Sequence, residues 1–409
     1  MFYRTFLNSL IIILKIIFGF VLTKIVAVQG GPIAIAQFSQ FQTILSIIQN
    51  LPNGSSNGVV ANTPNYRKID RIEILWGSSL VISVAIYSVL LLISIVLFLF
   101  FELNINAYPY ILIAIFLYPL YHFYSLGNAI NTSYGFFNEY FFSNIVSISS
   151  FIFLLLISYF CFDISNVYFF ALFFFPYCSF FIFHSIYKRH NSILKYFFYA
   201  DLSTIRTLFK FVFLSFISVF FTPMIIYFIR EILSSEVGEY AMGNWQSIWR
   251  ISEVYTSMLI LSISSIILPR FSYSNTKSQI IKTFKFSLFM IFPIYLIVFF
   301  VLLIFTEQIF HLLYSESFVI DREVLIYQLI GDFFKLLGCI LTFFLLSNSK
   351  LQLLAILEIL FGIFFILGVS FFVSDFGALS VSIIYLLIQM SCAFILSIYT
   401  VRLVSNKYE

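Results

Sequence analysis

The chain has 409 residues, of which 61% are hydrophobic and 10% charged, against roughly 45–50% and about 25% in soluble domains. That balance excludes a water-solvated fold, and because the apolar surplus runs the whole length it also excludes a single membrane anchor. The formal net charge is +4, and no nucleic-acid partner is expected. Phe, Ile, Tyr and Asn dominate while Ala and Gly are scarce, a bias that AT-rich coding produces. The 57 Phe and 26 Tyr therefore carry no weight as signs of an aromatic ligand.

An apolar run of about 20 residues crosses the hydrocarbon core as a helix, the element that satisfies its own backbone groups there. Taken in chain order, such runs predict spans over 5–28, 33–59, 74–101, 109–130, 140–162, 167–187, 209–230, 241–269, 284–306, 325–347, 351–373 and 377–401. The expected fold class is all-α, a polytopic membrane protein of about twelve transmembrane helices. The first run follows Arg4 without an A-x-A cleavage site, so it reads as a retained span rather than a signal peptide.

Cytoplasmic loops keep Lys and Arg. One set of segments holds Arg4, Arg67, Lys68, Arg71, Lys188, Arg189, Lys195, Arg206, Lys210, Arg270, Lys277, Lys282, Lys285, Lys350, Arg402 and Lys407, whereas the other holds Arg322 among many carboxylates. Both termini are thus expected in the cytoplasm, in a bacterial inner membrane. The cationic loop 188–208 divides the chain into an N-terminal lobe over 1–187 and a C-terminal lobe over 209–409. An equal, even number of spans per lobe makes the halves parallel repeats. Gly31 and Gly238, each ahead of a polar-faced helix, are the faint trace of internal repetition.

Lys15, Lys24, Arg230, Arg250 and Lys335 are left inside spans, with Glu253, Asp332 and Glu358. Each costs about 2.5–3.5 kcal/mol at mid-helix on insertion scales, so such groups face a cavity or a partner. The cations exceed the carboxylates by two, or by one if Arg230, near its helix end, snorkels to the surface. On the second span Ser39, Gln42, Ser46, Gln49, Asn50, Asn53 and Asn57 fall within about 100°, provided Pro52 does not bend the helix too far. On the eighth, Gln246, Arg250, Glu253, Ser257 and Ser264 share about 60°, and on the tenth Gln328, Asp332, Lys335 and Thr342 share about 80°. Three wet faces of this kind line a cavity. A structural alternative stands beside each: Arg250 with Glu253 and Asp332 with Lys335 are i, i+3 pairs that neutralise on their own helix, Lys24 snorkels to the periplasmic surface, and Glu358 makes a helix-to-helix hydrogen bond.

Other features point away from catalysis. Cys161, Cys178, Cys339 and Cys392 lie in apolar runs at spacings that fit neither a metal site nor a disulfide framework. His122, His184, His190 and His311 are scattered without metal-ligand spacing. Asn131-Thr132-Ser133 matches a glycosylation pattern but falls at a cytoplasmic helix end, and Trp245 and Trp249 read as interfacial anchors. No phosphate-cradling loop is present, so no metal, cofactor or ATP hydrolysis is expected, and the chain does not read as an enzyme.

Lys24-Ile-Val-Ala-Val-Gln-Gly-Gly31-Pro32 followed by Gln40-Phe41-Gln42, then Trp245-Gln246 with Ile251-Ser252-Glu253-Val-Tyr255 and Leu268-Pro269-Arg270, then Gln328-Leu-Ile-Gly331-Asp332-Phe-Phe-Lys335, are similar to segments of Wzx-type polysaccharide flippases. That family belongs to the multidrug, oligosaccharidyl-lipid and polysaccharide exporter superfamily, and the branches for O antigen and enterobacterial common antigen resemble the chain most. The resemblance implies two six-helix lobes around a central cavity, alternating access, and transfer of undecaprenyl-pyrophosphate-linked glycan from the cytoplasmic to the periplasmic leaflet. It implies as partners the bilayer, the polymerase and chain-length regulator of the same pathway, and protons or sodium as coupling ion. Lys24 matches a position that is basic in related lipid flippases; some relatives carry Arg where Gln42 stands. On this reading Lys24, Gln42, Arg250 and Lys335 bind substrate while Glu253, Asp332 and Glu358 couple to protons. Two rivals remain: a cation or drug antiporter of the same superfamily, and a membrane-embedded O-antigen polymerase. The second would need acid or base groups on large periplasmic segments, and the longest here is 307–324.

Overall fold

Without water to bond their backbone groups, the apolar runs close their hydrogen bonds internally. The computed structural model describes residues 2–51, 53–68, 71–100, 108–161, 193–274, 276–348 and 350–408, and among these there is no strand. The helices are α1 (Phe2–Asn50), α2 (Asn53–Lys68), α3 (Ile72–Phe100), α4 (Tyr108–Tyr134), α5 (Phe137–Cys161), α6 (Leu202–Val237), α7 (Glu239–Tyr273), α8 (Lys277–Ile304), α9 (Thr306–Leu313), α10 (Arg322–Ser347), α11 (Leu351–Phe376) and α12 (Ala378–Tyr408), with a 3₁₀ turn over Ile193–Tyr199 ahead of α6. Eight helical stretches among the described residues are long and apolar enough to cross a membrane. The chain is a multi-pass, all-α membrane protein, as its composition requires. The span expected over 167–187 lies outside the described residues, as do Cys178, His184 and His190.

The first two expected spans form one long helix interrupted at Gly31, where φ is 62° and ψ is −152°. Only a residue without Cβ takes that conformation readily, and Pro32, whose missing N–H costs nothing at a first helical position, restarts the helix. The second span breaks again at Leu51, since Pro52 disfavours helical backbone in the residue before it. Asn50 donates to Ser46 O at 2.8 Å and Asn53 donates to Asn50 Oδ1 at 2.8 Å across that break. The polar stripe from Ser39 to Asn57 is therefore shared by two helices rather than laid along one. Later helices overrun the expected spans. α6 starts at Leu202 behind Asp201, whose carboxylate accepts from Thr204 N at 3.3 Å, and runs on to Val237. α7 follows after Gly238 alone, at φ 96°.

By contact density the chain divides into unit 1, Met1–Leu22 with Gln37–Met224, and unit 2, Thr23–Ala36 with Ile225–Glu409. The turn of α1 thus belongs to unit 2 while both arms belong to unit 1. In unit 1, Trp76, Leu80, Leu126, Ile130 and Leu208 form a buried cluster. In unit 2, α10 packs chiefly on α12 and α7, around buried Ile267, Phe271, Leu336, Phe344 and Leu396. This makes α10 the central helix of unit 2, and its Gln328 and Asp332 are fully buried.

Candidate functional site

Asp332 sits midway along α10 with no exposed surface. Its Oδ2 accepts from Ser252 Oγ at 2.6 Å and from the Tyr255 hydroxyl, both on α7, and its Oδ1 accepts from the Tyr385 hydroxyl of α12 at 2.8 Å. Gln328, one turn earlier on α10 and also fully buried, donates to Ser252 Oγ at 3.1 Å. Lys335, one turn later and half-buried, donates to Thr256 Oγ1 at 3.2 Å. The carboxylate is thus the hub of a hydroxyl cage joining three helices, and the ammonium lies within electrostatic reach without being among its hydrogen-bond donors. Such a cage of oxygens can hold a proton or a small cation.

A second polar group lies where α6 meets α7. Arg230 is 5% exposed, and its Nε donates to Gln246 Oε1 at 2.8 Å. It lies within electrostatic reach of Glu253 and Arg250, and Tyr314, whose hydroxyl donates to Ser247 O at 3.0 Å, lies within reach of the same two. Trp245 and Trp249 are 1% and 9% exposed, with ring centroids 5.3 Å apart. The anchoring role expected of them is not observed: they fill the interior of unit 2, Trp249 packing edge-on against Tyr385 at 5.2 Å.

Lys24 points elsewhere. Its Nζ donates to His311 O at 2.8 Å, one of the last carbonyls of α9, which have no intrahelical donor and lie at the negative end of the helix dipole. The segment after α9 also contacts both the α1 turn and α7. Ser315 Oγ donates to Ala27 O at 3.3 Å, Tyr240 OH donates to Ser317 O at 3.0 Å, and Val319 N donates to Asn244 Oδ1 at 3.2 Å. A Cβ on Gly243 would stand 1.9 Å from Pro32 O, so α7 and the turn approach as closely as backbones allow.

The sequence-predicted residues thus fall into separate groups. Asp332 and Lys335 share the α7–α10–α12 cage, Arg250 and Glu253 share the face of α7 near Arg230, and Lys24 lies against α9. Glu358 is exposed on α11, and Gln42 is half-buried in unit 1. Sequence reasoning missed Ser252, Tyr255 and Tyr385 as partners of Asp332. The first two stand inside the Ile251–Tyr255 segment that resembles flippases, whereas Tyr385 lies in an apolar run with nothing to distinguish it. Of the two readings left open for Arg230, the structure excludes snorkelling: the residue is buried.

No family model matches the chain. A stretch of 150 residues, 37% of the chain and 36% of the relative, is 23% identical to the Lipid III flippase of Escherichia coli (strain K12), and the same holds for the Lipid III flippase of Shigella flexneri. The match spans about a third of those proteins' length. Among solved structures, the inward-facing conformation of a multidrug resistance MATE family transporter of the MOP superfamily superposes with TM-score 0.75 at 17% identity, covering 96% of this chain and 94% of the other. An outward-facing MATE transporter of that superfamily gives 0.68 at 16% identity, covering 98% and 94%. The chain has the two-lobed, all-α fold of MATE transporters.

Proposed function

We propose that this protein is a flippase that carries undecaprenyl-pyrophosphate-linked oligosaccharide, of the O-antigen repeat type, from the cytoplasmic to the periplasmic leaflet of a bacterial inner membrane by alternating access. The observation that carries the reading is the stretch similar to Lipid III flippases, in a chain whose second unit keeps Arg230, Arg250 and Lys335 against Glu253 and Asp332 within membrane-spanning helices. An interior with excess cation suits an anionic headgroup, because charge is tolerated at membrane depth only where something answers it. In this reading Arg250 and Lys335 meet the pyrophosphate, with Lys24 and Gln42 contacting substrate elsewhere on its path. The Asp332 cage takes up the coupling proton or sodium ion, and Glu253 and Glu358, both exposed, exchange protons as the lobes alternate. The chain does no bond chemistry. It passes its cargo to the polymerase and chain-length regulator of the pathway.

Cells lacking the gene test this. Lipid-linked repeat units trapped on the cytoplasmic face support a flippase, whereas single capped units already outside indicate a polymerase. The drug-antiporter reading has one observation in its favour, the TM-score of 0.75 to a multidrug MATE transporter. The excess of cations within the spans opposes a cationic drug as cargo, and uptake of such drugs by energised vesicles would decide for the antiporter.

A further inference from the structure

We infer that Lys15 is an anion-contacting residue of unit 1, presented to a phosphate of the cargo by a relay through Tyr124 and Asn144; this rests on the flippase reading and deepens it. About 15 Å of helix separates Thr5, where the first span begins, from Lys15. That puts the ammonium near the middle of a core about 30 Å thick, deeper than its four-carbon stem can span. At 100° per residue Lys15 falls within about 60° of Ile11, Phe18 and Leu22, and about 160° from Ile13 and Ile17. The first three are buried and the last two exposed. Lys15 therefore projects from the inward face of α1, and yet it is itself exposed. An accessible space borders that face at the depth of Lys15.

The group that answers it in unit 1 is neutral. Nζ donates to the Tyr124 hydroxyl of α4 at 3.4 Å, a long contact for a charged donor. The orientation of that hydroxyl is determined by α5. Asn144 donates from Nδ2 to Tyr140 O at 2.8 Å and to Asn128 Oδ1 at 3.3 Å, which leaves its Oδ1 to accept from Tyr124 at 2.7 Å. With its proton given to Asn144, Tyr124 turns a lone pair toward Lys15. The relay thus positions the ammonium without neutralising it. An ammonium carries three donors, and no further hydrogen bond or ion pair of Lys15 occurs among the described residues. The sequence offers no carboxylate at this depth either. Glu253, Asp332 and Glu358, the acids within expected spans, all belong to the C-terminal lobe, while Glu73 and Glu139 stand just outside the spans of the N-terminal one. Charge at membrane depth is tolerated where something answers it, and a phosphate oxygen of the cargo is the anion that this lobe lacks.

The test is calorimetric titration of the protein in lipid nanodiscs with inorganic pyrophosphate at several salt concentrations. Lys15→Gln, which keeps a donor toward Tyr124 but loses the charge, should weaken binding about 10-fold and flatten its salt dependence. Lys15→Arg should bind as the parent does, since either cation serves a phosphate. Tyr124→Phe should weaken binding but leave the salt dependence in place, because the charge stays and only its support is removed. A folded Lys15→Gln protein with the parent's affinity and salt dependence overturns the inference, and a Tyr124→Phe protein that binds as the parent does overturns the relay. Nanodiscs carrying a polyprenyl pyrophosphate separate the sources of the ligand. If that lipid displaces inorganic pyrophosphate, the contact belongs to a lipid headgroup. If pyrophosphate binds in a Lys15-dependent way but the lipid does not compete, the contact stands and the flippase reading falls.

Discussion

Asp332 and Lys335 are spaced to neutralise each other on one helix, but their hydrogen bonds go to different neighbours. The carboxylate collects hydroxyls from Ser252, Tyr255 and Tyr385, while the ammonium reaches Thr256. Exchanging them, Asp332→Lys with Lys335→Asp, keeps the helix's charge but puts an ammonium into a cage built around a carboxylate. A simple i, i+3 clasp would cost a few tenths of a kcal/mol on reversal. Loss of one partner from a buried charged group typically costs about 3–5 kcal/mol, and the exchange should fall near that larger figure. The expected outcome is a protein with a clearly lower melting temperature and no glycan export, read by thermal unfolding in detergent and by export in cells lacking the native gene. Normal melting and normal export would return both residues to a structural role. The need for Asp332 was legible in the sequence, because a carboxylate amid apolar residues must be answered by something. Which hydroxyls answer it was not, since Ser and Tyr recur along α7 and α12 and only the packing angle selects those that converge.

At the scale of elements, the turn of α1 shows how a hairpin readable from hydropathy acquires a conformation that hydropathy does not encode. Gly30-Gly31-Pro32 announces a break, and the break is there, but the close approach of Gly243 to Pro32 O comes from a helix more than two hundred residues later. Gly31 and Gly238, the faint repetition seen in the sequence, both take positive φ and both precede a helix, but both lie in unit 2, and Gly135 and Gly377 take positive φ ahead of helices as well. Gly243→Ala should be strongly destabilising, since a Cβ at 1.9 Å from a backbone oxygen forces helix and turn apart. Gly338→Ala on α10, where the nearest atom, Leu396 Cδ1, stands 4.0 Å away, should be neutral or stabilise by up to about 1 kcal/mol through helix propensity. Paired thermal melts of the two variants check this. Equal melting temperatures would contradict the packing at the turn. The same contacts give Lys24 a local task, closing the end of α9, which its sequence position could not reveal.

For the whole molecule, the apolar runs and cation-bearing loops made the class of architecture readable, because a bilayer leaves the backbone so few alternatives. The helix ends were less readable, because polar caps such as Asp201 extend helices past the hydrocarbon. The joining of Arg230 to Gln246 depends on how α6 leans on α7, for which a single sequence carries no signal. Orientation and transport are linked in the proposed function: with the loops rich in Lys and Arg expected inside, the proposed movement of an anionic lipid headgroup to the other face needs a cationic path that opens to each side in turn. The most direct measurement reconstitutes the purified protein into vesicles loaded with undecaprenyl-pyrophosphate-linked oligosaccharide and follows, with a membrane-impermeant glycosidase, how much of the lipid becomes accessible. The account predicts that nearly all of it becomes accessible with the parent protein, and only the outer-leaflet fraction with an Arg250→Gln, Lys335→Gln variant that is folded. Accessibility confined to the outer leaflet with active parent protein, or full accessibility with the doubly substituted one, would contradict it.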